Sequence, residues 1–93
     1  MSNLMDLKNI GSTSAHWLES VGIKDQKTLK EVGVIQAYLR IHQRGIKTSK
    51  VLLYALYGAL HDLHWNEVPE DMKKELSLRI ESALSQEKAE ESF

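Results

Sequence analysis

Two histidines three residues apart, His61 and His64 in the segment HDLHW with Asp62 between them, come nearest in this chain to a metal-ligand spacing. A metal centre needs three or four ligands, and no further ligand spacing accompanies them. The pair therefore reads as histidines near the C-terminal end of a helix, where a positive imidazole suits the helix dipole. His16 and His42 stand alone and read as surface or partly buried polar residues. The absence of cysteine excludes a disulfide framework, a thiolate metal site and a cysteine nucleophile. No phosphate-binding loop, dinucleotide fingerprint, nucleophile elbow or HExxH motif occurs. The expectation is a protein that is not an enzyme and holds neither metal nor cofactor.

The glycine turns carry a stronger signal. In Leu7-Lys8-Asn9-Ile10-Gly11 a hydrophobic residue and a glycine precede Ser12 and Thr13, which can cap a helix. The backbone N–H groups at such a helix start form a site for an anion such as a nucleic-acid phosphate. Lys8 adds a charge beside the turn, and Lys24 and Lys27 lie near the next one. The candidate nucleic-acid-binding residues are therefore Lys8, Asn9, Gly11, Ser12, Thr13, Lys24 and Lys27. The pattern resembles the helix-hairpin-helix motif, whose glycine hairpin grips phosphate without reading sequence. That motif prefers glycine on both sides of the hydrophobic residue, whereas here Asn9 and Glu31 occupy the first position. Asn9 tolerates left-handed geometry. Glu31 repels phosphate, so the second turn reads as structural. The alternative, in which both turns only pack helices, stays open.

The elements that must position these residues follow from an internal repeat. Leu7 to Ala15 (LKNIGSTSA) matches Leu29 to Ala37 (LKEVGVIQA), and Gly22 to Leu29 (GIKDQKTL) matches Gly45 to Leu52 (GIKTSKVL). Each unit reads as helices separated by tight glycine turns. A first helix is expected from about Thr13 to Val21, stopped by Gly22, and a second from about Gln26 to Val32, capped by Asp25. A third runs from about Val34 to Arg44, with Val34, Ala37, Tyr38 and Ile41 on one face and Gln36, Arg40, Gln43 and Arg44 opposite. Thr48 or Ser49 caps a fourth from Lys50 to about Asp62, apolar nearly all round and so expected at the centre. Gly58 inside it lowers helix propensity by about 1 kcal/mol relative to alanine and marks either a close crossing or a tolerated weakness. Pro69 followed by Glu70 and Asp71 opens a fifth helix to about Gln86. Trp17, Trp65, Tyr38, Tyr54 and Tyr57 lie among Leu and Ala and read as core ahead of base-stacking platforms. No period-two alternation occurs, so the expected fold is all-α: one domain over residues 1–93 of about five helices with two helix-hairpin-helix-like glycine turns, its core about 4–86 and a frayed tail over 87–93.

The ordered motifs LxNIGxxSAxWLxxxGI at Leu7 to Ile23, TLKEVGxxxAY at Thr28 to Tyr38, LLYALxGAL at Leu52 to Leu60 and HWxx[LV]P at His64 to Pro69 together resemble the C-terminal domain of the TfoX/Sxy proteins. The resemblance covers roughly Leu4 to Leu84. It implies a small helical domain, related to helix-hairpin-helix folds, of bacterial regulators of competence and DNA transformation. In those regulators the domain commonly follows a separate N-terminal domain. The resemblance transfers no catalytic residue.

Length and charge narrow the partners. Ninety-three residues with 42% hydrophobic and 27% charged side chains suit one globular domain and neither a disordered tail nor a membrane protein. The longest apolar run, Val51 to Leu60, is half of what a bilayer crossing requires. With no secretory signal at the N-terminus, the cytoplasm is the expected compartment. The net charge of −1 divides unevenly: residues 1–50 hold eight basic and four acidic residues, the remainder four and nine. A basic half favours an anionic partner. A pI near 6.4 instead suits a protein-interaction domain. Two partner readings stay open: the phosphate backbone of DNA, or a transcription regulator or further copies of this chain. Neither a membrane nor a small-molecule substrate is expected.

Overall fold

The computed structural model of the protein describes residues 4–91, with side chains as far as Gln86. Its helices are α1 (Ser12–Ser20), α2 (Gln26–Val32), α3 (Val34–Gln43), α4 (Lys50–His61) and α5 (Glu70–Glu91). Single-turn 3-10 helices at Leu4–Asp6 and Trp65–Glu67 precede α1 and α5. No strand occurs among the described residues, and the fold is all-α as expected. The boundaries follow local chemistry. Asp25 caps α2 by accepting the Thr28 backbone N–H at 2.8 Å. Gly22 and Gly45, both at φ +86°, stop α1 and α3 in a backbone region that other residues enter at a cost. Gly33 at φ +88° separates α2 from α3 alone. The first glycine turn differs from it: Asn9, not a glycine, takes the left-handed conformation at φ +70°.

Three expectations need correcting. Ser12 is the first residue inside α1, because Gly11 takes the cap position and offers no side chain. Ser49 caps α4 by position, yet neither it nor Thr48 bonds the helix start; the Thr48 hydroxyl turns to His42. The fifth helix continues past Gln86 to Glu91, because Glu87, Lys88, Ala89, Glu90 and Glu91 all favour helix and include no stop signal. Ser92 and Phe93, the end of the expected tail, lie outside the described residues.

The centre is shared by two helices. α3 packs against α1, α2, α4 and α5, and α4 against α2, α3, α5 and the Trp65–Glu67 turn. Leu18, Ile23, Leu29, Ile41, Leu53 and Leu56 are fully buried, each contributing about 1.5 to 3 kcal/mol of hydrophobic stabilisation. Tyr38 is buried, and Trp17, Tyr54 and Tyr57 pack half-buried against the same cluster. Trp65 departs from the core reading and is 37% exposed.

Gly58 marks a close approach of the backbone rather than a helix crossing. Asp62 at φ +56° reverses the chain at the end of α4, and the Leu63 N–H returns to the Gly58 carbonyl at 2.9 Å. That reversal lays the Leu63 carbonyl and the Asn9 amide nitrogen across Gly58, where a Cβ would collide with both.

Two outcomes test these local causes. Gly58→Ala is expected to destabilise the fold by about 1 to 3 kcal/mol through overpacking, reversing the gain of about 1 kcal/mol that helix propensity alone predicts; a higher denaturant midpoint for the variant contradicts the close approach. The Thr28 N–H bond holds the Asp25 carboxyl below its ordinary value. The cap's contribution is therefore complete above the ordinary aspartate range and declines as pH falls through the depressed value. Thermal melts between pH about 5 and about 2 should show a smaller acid loss for Asp25→Asn, whose amide caps without ionising.

Candidate nucleic-acid interface

The candidate residues separate into two groups, one at each end of α1. Lys8, Asn9, Gly11, Ser12 and Thr13 surround its start; Lys24 and Lys27 follow its end, about 13 Å away along nine helical residues. Gly11, Ser12 and Thr13 are exposed, and no side chain caps the helix start. The N–H groups of that first turn thus face outward without an internal acceptor from the cap. Lys24 and Lys27 are exposed.

Two residues at the α1 start have partners within the protein. Lys8 lies 3.8 Å from the Asp62 carboxylate, both side chains being largely exposed. The pair adds little to stability in water, but it leaves the turn with no net positive charge. Asn9 faces inward. Its side-chain amide donates to the Leu63 carbonyl at 2.9 Å and the Ala55 carbonyl at 3.3 Å, and its oxygen accepts the Trp65 backbone N–H at 3.0 Å. Asn9 therefore staples the first turn to the end of α4 and to the turn beyond it, and its side chain has nothing left for a phosphate.

The histidines at the end of α4 take separate roles. His61 stacks on Tyr57 with ring centroids 4.2 Å apart. His64 lies beyond the helix; its N–H donates to Glu67 Oε1 at 2.9 Å, and its Nδ1 is 2.6 Å from Asn66 Oδ1. Among the described residues no three His, Asp or Glu side chains converge to hold a metal ion. No described helix is long and apolar enough to cross a membrane.

Sequence reasoning left out Arg40, Arg44 and Lys47. The Arg40 guanidinium reaches the Val21 carbonyl at 3.5 Å, placing the end of α3 beside the Gly22-Ile23-Lys24 turn. His42 meets Thr48 at 3.3 Å, folding the Gly45-Ile46-Lys47 turn against the same end of α3. The repeated Gly-Ile-Lys signals that the two lysine turns are alike, but not that α3 brings Arg40 and Arg44 beside them. Lys50, next along, donates to Glu81 on α5 at 3.0 Å, a bond that raises its pKa.

Residues 1–80 match the TfoX C-terminal domain. The chain belongs to that family. This TfoX C-terminal domain is 31% identical over 74 residues to Protein Sxy of Escherichia coli strain K12, a match covering 80% of the chain and 35% of Sxy. The chain thus spans about a third of the length of that relative. Crystal structures of Listeria monocytogenes proteins without an assigned function share the fold. A triclinic form superposes with a TM-score of 0.78 at 38% identity, over 82% of this chain and 86% of its own. A tetragonal form gives 0.78 at 36% identity, over 84% and 96%. The Asn9 staple lies inside the matched segment.

If Asn9 is a staple, Asn9→Ala loses its three bonds and must hold φ near +70° with a Cβ, at a cost of about 2 to 4 kcal/mol. Asn9→Gly loses the bonds alone and should be about 1 kcal/mol less destabilised. Chemical denaturation of the two variants checks the order, and a neutral Asn9→Ala result contradicts the staple.

Proposed function

We propose that this TfoX C-terminal domain is a non-enzymatic regulatory module of the kind found in bacterial regulators of competence and DNA transformation, and that it contacts the DNA phosphate backbone through its basic half. The observation that carries this reading is the division of charge. Residues 1–50 hold eight basic and four acidic residues, while on α5 Lys73, Lys74, Arg79 and Lys88 are outnumbered by Glu70, Asp71, Glu75, Glu81, Glu87, Glu90 and Glu91. Such a molecule turns one end toward a polyanion and keeps the other away. The exposed start of α1 at Gly11-Ser12-Thr13, read as one side of a helix-hairpin-helix-like turn, offers backbone N–H groups to a phosphate. Contacts of this type bind without reading bases and weaken with salt.

A second reading, a protein-interaction domain that docks on a transcription regulator or on its own copies, has its own support. Leu78 on α5 is 66% exposed, and the overall charge is near neutral.

Fluorescence anisotropy of a labelled duplex separates the two readings. With two to four phosphate contacts, affinity should fall between about ten- and about hundredfold from 50 to 200 mM salt. No saturable binding at the lower concentration contradicts the DNA reading and favours the protein partner.

A further inference from the structure

We infer that the principal phosphate-binding surface is the basic end of the molecule formed by Lys24, Arg40, Arg44 and Lys47, rather than the Gly11 turn. This rests on the proposed DNA contact and specifies where on the protein it is made. Three elements converge there. Arg40 on α3 and Arg44 at the cap position just past its end stand one turn apart, about 6 Å along the helix axis, and both are exposed. The Arg40 bond to the Val21 carbonyl fixes the first Gly-Ile-Lys turn beside that face, so Lys24, three residues on, lies within about 11 Å of the Val21 carbonyl. The His42 contact with Thr48 folds the second turn back, keeping Lys47 close to Arg44.

The two turns are built alike. Each begins with a glycine at φ +86°, continues with an isoleucine packed into or against the core, and presents an exposed lysine just before a helix. Full burial of Ile23 and partial burial of Ile46 anchor the backbone, so each lysine sits on a short segment tied to the core.

Charge decides between this surface and the Gly11 turn. None of Lys24, Arg40, Arg44 and Lys47 makes an ion pair among the described residues. The one carboxylate adjacent in sequence, Asp25, stays ionised while it accepts the Thr28 N–H, so four cations there stand against one adjacent anion. The Gly11 turn, by contrast, offers a single lysine with Asp62 beside it. Lys50, bonded to Glu81, marks the border where the basic end gives way to acidic α5. Four cations on neighbouring elements, none of them in an ion pair among the described residues, suit a ligand that carries several negative charges. A duplex backbone, with a negative charge at every nucleotide, is such a polyanion.

The test compares Arg44→Glu/Lys47→Glu with Lys8→Glu in the 93-residue chain, by anisotropy on a labelled duplex from about 50 to 200 mM salt. None of these side chains is buried, and matching thermal melts confirm folding. The expected result is a loss of at least tenfold in affinity for the double variant, with the slope of log affinity against log salt shallower by about 1.8, for two lost contacts. Lys8→Glu should change affinity by less than about threefold. The milder Arg44→Gln/Lys47→Gln should show the same reduction in slope with a smaller loss of affinity. Wild-type binding that the Arg44/Lys47 variants leave within twofold, while Lys8→Glu abolishes it, overturns the assignment and returns the contact to the Gly11 turn. Absence of wild-type binding instead defeats the DNA reading on which the assignment rests.

Discussion

One side chain ties the N-terminal turn of this fold to α4 and the reversal that follows it. The Asn9 amide closes bonds to Ala55, Leu63 and Trp65 across sequence separations of 46, 54 and 56 residues. Backbone groups that the chain reversal after α4 would otherwise leave to water are satisfied by it. The arrangement makes three demands on the sequence. Position 9 must accept left-handed geometry while carrying a donor and an acceptor, position 62 must reverse the helix, and position 58 must have no Cβ. Asn9, Asp62 and Gly58 meet them together, beside the fully buried Leu4 and the buried Ile10.

That closure shapes the surface available for function. Because Asn9 turns inward and Lys8 meets Asp62, the first glycine turn presents backbone N–H groups with little net charge. Positive charge gathers at the other end of α1, where the Arg40 contact joins α3 to the first Gly-Ile-Lys turn. α5, net negative although it also carries Lys73, Lys74 and Arg79, packs on α3 and α4, so the balance of charge changes sign across one small body. A weak, salt-sensitive and directional attachment to a polyanion is the behaviour such a division supports.

Much of the architecture is legible in the residues because its causes are local. Asp25 before α2, glycines after α1 and α3, and Pro69 before α5 set helix limits through capping and backbone freedom, which act within a few positions. The left-handed turn at Asn9 is legible for the same reason. What Asn9 bonds is not, since its partners lie more than forty positions away. Gly58 illustrates the same limit: propensity shows that it weakens the helix, but only the returning Leu63 carbonyl explains why alanine does not fit. On the interface side, Lys24 and the Gly-Ile-Lys repeat are visible in the chain. Their alignment with Arg40 and Arg44 depends on α1 packing against α3, which no spacing in the sequence encodes.

Amide hydrogen exchange at Trp65 tests the central claim most directly. The Trp65 N–H sits in an exposed turn and owes its hydrogen bond to the Asn9 side chain alone, so exchange well slower than an open turn permits is predicted, with that protection vanishing in Asn9→Ala. Exchange of the Trp65 N–H at an unprotected rate in the native protein would contradict the account.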